Sequence, residues 1–171
     1  MARQRGLREL AAPLMNELRE VSRQRVHLAV LDGAEVLYLE ILSGPAGPKL
    51  PSRVGGRMPA HATGVGKAML AHAPRTTVDT VLAAGLPRLT ARTIVAPGML
   101  HADLRRIAGR GVAFDGEESA VGLMCAANPV LDADGMAVAA LSVSGRSGRM
   151  PMPRLVPAIG AVAVRSARSR K

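Results

Sequence analysis

The chain has few aromatic residues and little sulfur other than methionine. Its 171 residues include no tryptophan, one tyrosine, one phenylalanine and one cysteine, against nine methionines. The core must therefore be aliphatic, with methionine as adaptable filler. A single cysteine excludes an internal disulfide and favours a reducing compartment. No apolar run is long enough to span a membrane, and no apolar signal segment follows the basic start. We therefore expect a cytoplasmic protein without a membrane partner.

The charge is strongly unbalanced, with a formal net charge of +10. Basic surfaces attract nucleic acid without sequence preference. The sequence shows no zinc-finger spacing, no aromatic stacking run and no evident helix-turn-helix. We therefore interpret the excess as basic, solvated ends of the chain that bind DNA only weakly. The residues concerned are Arg3, Arg5, Arg8, Arg19, Arg23 and Arg25 at the start, and Arg165, Arg168, Arg170 and Lys171 at the end.

The periodicity of apolar residues predicts strands and helices in one domain. A helical stripe covers residues 7–23, and two strands over 26–31 and 35–42 are joined by a turn at Asp32-Gly33. Residues 43–59 are rich in proline and glycine, which predicts a loop with a short extended segment. Further helices are expected at 78–84, closed by Gly85, at 100–108, closed by Gly109 and Gly111, and at 155–163. A second hairpin is expected near the end of the chain. Hairpins at both ends, separated by helices, predict an α+β fold with a mainly antiparallel sheet covered by helices. The helical stripe consists of Leu7, Leu10, Leu14, Leu18 and Val21, with Pro13 expected to start its second half or to kink it.

The stretch 111–144 holds most of the functional information. Two apolar runs flank Asp132-Ala-Asp-Gly135, which is typical of a hairpin loop. A four-residue loop places Cys125 opposite Ser142, whereas a two-residue turn places it opposite Ser144. Both registers put the thiol on the face that carries the two serine hydroxyls, unless a bulge at Pro129 changes the parity. That face is either a pocket wall for a small polar ligand or an ordinary sheet with two solvated serines and a buried thiol.

Residues 61–71 are polar at their start and helical afterwards. Gly64-Val-Gly66-Lys67 superficially resembles a phosphate-binding loop, but His61 stands where that motif needs glycine. Ala68 likewise replaces the hydroxyl that would bind magnesium. We therefore expect no nucleotide site. The amides of a helix start can still hold a carboxylate.

Two alternative functions use the sulfur and imidazole groups. Cys125 could act as the nucleophile of a thiol-dependent redox enzyme, although a redox cycle commonly needs a second thiol. The histidines and Cys125 could also bind a metal, but no two of them have metal-motif spacing on one element. We therefore expect no enzyme activity, no cofactor and no metal, with the histidines scattered over the surface. These histidines are His27, His61, His72 and His101.

Several of these motifs together resemble the C-terminal effector-binding domain of IclR-type bacterial transcription regulators. The family signature is matched by Gly111, Asp115, Glu118, Cys125, Ala127, Val130 and Asp132. Residues 61–67 resemble the family's helix-start motif and residues 139–145 its closing strand. Ala126 and Leu131 depart from the usual branched aliphatic and aromatic residues at packing positions.

The resemblance implies a GAF-like fold with a pocket for a small organic acid between the helix start and the sheet face. It assigns no catalytic residue. The implied ligand contacts are Thr63, Gly64, Asp115, Cys125, Ser142 and Ser144. For Asp115 two roles remain open: accepting from a ligand hydroxyl, or orienting the neighbouring backbone.

The resemblance also implies a division of the chain. Residues 1–24 would form a linker or signalling helix and residues 25–171 the effector-binding domain. Family members carry a winged helix-turn-helix before this domain, and nothing in the chain resembles it. We therefore expect DNA contact only through that absent domain, and association into a homodimer or homotetramer.

Overall fold

The chain folds around one sheet with helices on both faces. The computed structural model describes residues 2–47, 50 and 52–168, with side chains described up to residue 160. The helices are α1 (Ala2–Ser22), α2 (Gly64–Leu70), α3 (Arg75–Ala83), α4 (Pro97–Arg110) and α5 (Met152–Arg168), and a short 3-10 turn covers Ala60–Ala62. The strands are β1 (Arg25–Asp32), β2 (Glu35–Leu42), β3 (Arg57–Pro59), β4 (Ala113–Gly116), β5 (Leu123–Leu131) and β6 (Ala137–Arg146).

The six strands form one sheet in the order β3-β2-β1-β6-β5-β4, and every neighbouring pair is antiparallel. The predicted α+β fold with an antiparallel sheet and flanking helices is confirmed. No helix in the described part of the chain is long and apolar enough to cross a membrane.

The sheet separates two apolar clusters, because successive side chains of a strand point to opposite faces. On one face, Leu28, Leu141 and Val143 pack with α1 and α5. On the other face, Ala29 and Ala140 pack with α2, α3 and α4. The helix start and the hydroxyl-bearing strand positions therefore lie on the same side of the sheet, which is where the ligand site was predicted.

Helix α1 is longer than predicted and buries a different stripe. It continues through Pro13 without a break. Its buried side chains are Leu7, Ala11, Met15, Leu18 and Ser22. Leu10 and Val21 were expected in the stripe but are 44% and 57% exposed. The prediction counted only large apolar residues, whereas the buried face uses Ala11 and Ser22, whose small side chains allow close approach to the sheet.

The glycine-containing turns and helix ends predicted from the sequence lie at or near the predicted positions. Asp32 pairs with Glu35 across a turn whose first central residue, Gly33, has φ 62°. Gly111 ends α4 in the left-handed conformation, with φ 79°. Gly109 was also expected to close this helix, but it lies inside α4. Helix α3 ends at Ala83, near the predicted boundary at Gly85. The loop over 43–59 contains the predicted short extended segment, β3.

Candidate functional site

The centre of the candidate site is a patch of polar side chains that neighbouring strands bring together on one face. Asp115 on β4 pairs with Cys125 on β5, and Cys125 pairs with Ser144 on β6. One step along, Ser142 on β6 pairs with His27 on β1. Directly paired residues share a face of the sheet. The fold therefore collects a carboxyl, a thiol, two hydroxyls and an imidazole within two adjacent rows.

The β5–β6 hairpin has a register that neither the four-residue loop nor the two-residue turn fully predicts. Cys125 lies opposite Ser144, as a two-residue turn would require, yet the last pair before the loop is Leu131 with Ala137. The register shifts at Val130/Leu131, so that β6 carries one extra residue there. Pro129 pairs with Ala140 in regular register and causes no bulge. The shift lies between the loop and the site, and the thiol and hydroxyls keep a common face.

The start of α2 lies directly over the thiol. A Cβ atom on Gly64 would be 2.8 Å from the Cys125 sulfur, so only glycine fits this approach without a shift. Thr63 is the N-cap of the helix, and its hydroxyl accepts from the amide of Gly66 at 3.1 Å. In an α-helix the first amides lack partners within the helix, and the cap satisfies only one of them. Gly64 and Val65 are the first two residues of this helix, so neither amide has an acceptor four residues back within it.

A cavity of about 80 Å³ lies between this helix start and the sheet face. All six predicted site residues, Thr63, Gly64, Asp115, Cys125, Ser142 and Ser144, line it. The structure thus brings them together, and their contact with a ligand stays a prediction. Leu50, Met58, Val65, Ala120 and Leu123 make the rest of the wall largely apolar. One water-sized group needs roughly 10–15 Å³ on this measure, so the cavity suits a small metabolite.

His27 and Tyr38 also line the cavity, and the sequence analysis did not assign them to the site. Their rings lie 5.2 Å apart, and His27 Nε2 is 3.1 Å from the hydroxyl oxygen of Ser52. Burial, the larger cause, and the nearby charge of Arg25, the smaller one, lower the pKa of His27 to about 3. The imidazole is therefore neutral at physiological pH. Its Nδ1 atom is buried and has no hydrogen-bond partner among the described residues.

The expectation that the histidines lie scattered on the surface is wrong for two of them. His27 and His61 are only 2% and 1% exposed. His61 Nε2 lies 3.0 Å from the carbonyl oxygen of Pro87, which fixes the ring against the segment after α3. Within the described parts of the chain, no group of three or more histidine, cysteine or acidic side chains could hold a metal ion.

Asp115 organises the loop that forms one wall of the cavity. Its carboxylate accepts from the amides of Glu118 at 2.7 Å and Ser119 at 3.3 Å, and from the Ser119 hydroxyl. Burial raises the pKa of this carboxyl. Of the two roles left open by the sequence, the structure shows the orientation of neighbouring backbone.

The thiol of Cys125 is poorly suited to nucleophilic chemistry. Burial, helped by the neighbouring carboxyl of Asp115, raises the pKa of Cys125 to about 12. Because the thiolate is the reactive species, a thiol that stays protonated at neutral pH is inert. This disfavours the redox alternative.

Lys67 has a structural environment that the sequence gave no means of recognising. It is 1% exposed, and its ammonium donates to Asp103 at 2.8 Å and to both oxygens of Glu118 at 2.9 and 3.1 Å. Glu118 also accepts from the amide of Gly116. The lysine therefore joins α2, α4 and the loop after β4 instead of lining the cavity described above.

The comparison with known families agrees with this geometry. The model of the family described as bacterial transcriptional regulator IclR C-terminal matches residues 1–169. The chain belongs to this family. Among curated relatives, the HTH-type transcriptional regulator BhcR of Paracoccus denitrificans is 38% identical over 154 residues. The match covers 90% of this chain and 55% of BhcR, so the chain spans a little over half the length of that relative.

Solved structures of an IclR homologue and of a transcription-factor domain share the fold. An IclR homologue from Microbacterium hydrocarbonoxydans, complexed with 4-hydroxybenzoate, matches with a TM-score of 0.88 and 30% identity, over 96% of this chain and 68% of the other. A double mutant of the PobR inducer-binding domain from Acinetobacter, in complex with 3-hydroxybenzoic acid, matches with a TM-score of 0.81 and 27% identity. That match covers 92% of this chain and 95% of the PobR domain.

Proposed function

We propose that this IclR-type domain senses a small organic acid for a cytoplasmic transcription regulator, and that the acid binds in the cavity between α2 and the sheet. Residues 25–171 would form the sensor and residues 1–24 its linker helix. The part that reads DNA would be a helix-turn-helix domain outside this chain. The observation that carries the proposal is the convergence of Thr63, Gly64, Cys125, Ser142 and Ser144 on one cavity. The hydroxybenzoates in the Microbacterium and Acinetobacter structures support an acid ligand.

Neutral donors would hold the carboxylate of the ligand. Among the described residues, no lysine or arginine lines the cavity, and the ammonium of Lys67 is paired with carboxylates elsewhere. Hydrogen bonds that amides and hydroxyls donate to an ionised acceptor are stronger than hydrogen bonds between two neutral groups. The amides of Gly64 and Val65 and the hydroxyls of Ser142 and Ser144 are the donors of this kind. The apolar wall would cover the carbon skeleton of the acid.

The orphaned nitrogen of His27 gives a second point of recognition. A buried polar atom without a partner carries a cost that a ligand can remove. The neutral imidazole can donate from one nitrogen or accept at the other, depending on its tautomer. An acid that also bears a hydroxyl group would therefore fit the cavity better than the same acid without it.

The first prediction tests the cavity with the double variant Ser142→Ala, Ser144→Ala. Each lost hydroxyl should cost about 0.5–3 kcal/mol of binding free energy, which corresponds to a few-fold to roughly hundredfold weaker affinity. A thermal-shift screen of small organic acids, beginning with 4-hydroxybenzoate, would first identify a ligand. Calorimetry on the parent and the variant would then measure the loss.

The control for this experiment is Ser43→Ala, which changes an exposed serine outside the cavity. It should bind the acid like the parent. Both proteins should keep nearly the parent melting temperature without ligand, because the removed hydroxyls are small. Parent-like affinity in the double variant would show that the acid binds elsewhere, and a screen without any hit would contradict the acid class.

We also propose that the domain self-associates through the outward face of α1. Leu10, Leu14 and Val21 fall on one side of the helix, and Leu10 and Val21 are largely exposed. Arg8 fixes this helix to the sheet, since its Nε donates to the carbonyl of Leu39 at 2.9 Å. A rigid apolar stripe of this kind suits a symmetric dimer, the commonest closed oligomer.

The second prediction concerns this stripe. Leu10→Glu with Val21→Glu should shift the protein toward monomer in light scattering across a range of concentrations, because the charges would be buried in the interface. Val54→Glu is the matched control, since Val54 is a 48% exposed apolar residue away from α1. A parent protein that is monomeric at every concentration would overturn this proposal.

A further inference from the structure

A second cavity, of about 510 Å³, lies on the other side of the loop over 115–119, which comprises the last two residues of β4 and the three that follow. The residues of this loop divide between the two cavities. Asp115 and Ser119 line the first cavity, whereas Gly116 and Glu118 line the second. Helix α4, the segment before it, Lys67 of α2 and Phe114 of β4 provide the remaining wall. No residue lines both cavities, so the second cavity has its own chemistry although α2 and the loop over 115–119 border both.

Positive charge exceeds negative charge in this second cavity. Its wall contains four cationic side chains, Lys67, Arg92, Arg106 and Arg110, and two carboxylates, Asp103 and Glu118. The ammonium group of Lys67 forms ion pairs with both of these carboxylates, at 2.8 and 2.9 Å. Arg92 forms an ion pair at 3.3 Å with Glu117, a residue that does not line the cavity. The nitrogen of Arg106 lies 3.9 Å from the nearest carboxylate oxygen of Asp103. Even with Glu117 included, an excess of positive charge remains.

Arg110 is held in place before any ligand arrives. Its Nε donates to the carbonyl of Val112 at 2.7 Å, and its guanidinium carbon lies 4.7 Å from the centre of the Phe114 ring. These contacts use one nitrogen and one face of the group. The outer nitrogens stay available, and a fixed guanidinium edge matches the oxygens of a phosphate or carboxylate.

The apolar part of the wall indicates an organic ligand. Ile94, Met99 and Phe114 lie beside the arginines. Met99 is 62% exposed although it belongs to the cavity wall. Arginines in the last turns of a helix also complement its dipole, but that role needs neither a cavity nor an aromatic ring under the guanidinium.

We propose that this second cavity binds a small organic molecule that carries a phosphate group. The guanidinium groups of Arg106 and Arg110 would hold the phosphate, and Ile94, Met99 and Phe114 would cover the organic part. The remaining positive charge and the guanidinium N–H groups favour an anionic group that can accept several hydrogen bonds. The site differs from the acid site in its residues and in its ligand class.

Calorimetry with phenyl phosphate and with inorganic phosphate tests this proposal. Phenyl phosphate should bind at one site per chain and more tightly than inorganic phosphate, because only the ester uses the apolar wall. In Arg106→Gln, Arg110→Gln the affinity should fall about tenfold or more, the range expected for lost charge-assisted bonds. Arg105→Gln is the matched control, an exposed arginine of the same helix outside the cavity.

The possible outcomes distinguish this site from the acid site. Loss of phenyl phosphate binding in the arginine variant, with parent-like binding in Arg105→Gln and in Ser142→Ala, Ser144→Ala, supports the proposal. Equal weakening by Arg105→Gln would mean attraction by the general positive field and would overturn it. Loss in the serine variant would place the phosphate in the first cavity. The absence of saturable binding would overturn the proposal without affecting the acid site.

Discussion

Lys67→Met should remove about 3–5 kcal/mol from the free energy of unfolding. The variant keeps the apolar part of the side chain but leaves Asp103 and Glu118 without their shared cation in a largely buried position. Breaking a buried ion pair in this way costs more than the pair contributes, because an uncompensated charge remains. A domain of this size commonly has a total stability of about 5–15 kcal/mol, so the loss is large. Urea unfolding measures it directly.

Arg57→Met is the matched control for Lys67. Arg57 forms an ion pair with Asp32 at 2.6 Å, but both side chains are about half exposed. Exposed pairs contribute about 0–1 kcal/mol. If the two variants lose the same stability, the buried triad is not the strong link between α2, α4 and the loop over 115–119 that its geometry indicates.

Gly66→Ala is expected to produce the second large effect. A Cβ atom on this residue would be 2.0 Å from the carbonyl oxygen of Ala60 and 2.6 Å from its carbonyl carbon. These are backbone atoms, so the helix start itself must move. Overpacking of this kind costs about 1–3 kcal/mol and sometimes more. Because Thr63 and Gly64 would move with the helix, acid binding should weaken as well.

Gly109→Ala separates this clash from the general effect of replacing glycine. Gly109 lies inside α4, and a Cβ atom there would meet nothing within 4 Å. Alanine in a helix interior is favoured over glycine by about 0.5–1 kcal/mol. Thermal unfolding should therefore show a higher melting temperature for Gly109→Ala and a lower one for Gly66→Ala. A lower melting temperature for both would mean that helix propensity and packing are not the deciding terms.

The sequence was sufficient for features that depend on local pattern. The alternation of Leu141, Ser142, Val143 and Ser144 gave the two faces of β6 correctly, since the apolar pair is buried under α1 and α5. The hairpin at Gly33 and the cap at Gly111 followed from the conformations that glycine adopts readily. The likeness to GAF domains and the division at residue 24 stay predictions.

Other features could not be read from the sequence because they depend on irregular pairing. Tyr38 reaches the cavity face through a register shift between β1 and β2, where Leu28 pairs with Glu40 but Ala29 pairs with Tyr38. The shift leaves Leu39 as an extra residue and places Tyr38 and Ile41 on one face. No local sequence pattern predicts such a bulge. The ion triad of Lys67 joins residues up to 51 positions apart, which local periodicity does not reveal.

The position of Tyr38 gives the domain a built-in optical reporter. The chain has one tyrosine and no tryptophan, so its ultraviolet emission comes from a single phenol in the cavity wall. That phenol is buried beside the neutral ring of His27. A ligand that enters the cavity changes the surroundings of the only emitting group. Binding of an aliphatic acid, which does not absorb in this range, can therefore be followed by intrinsic fluorescence without a label.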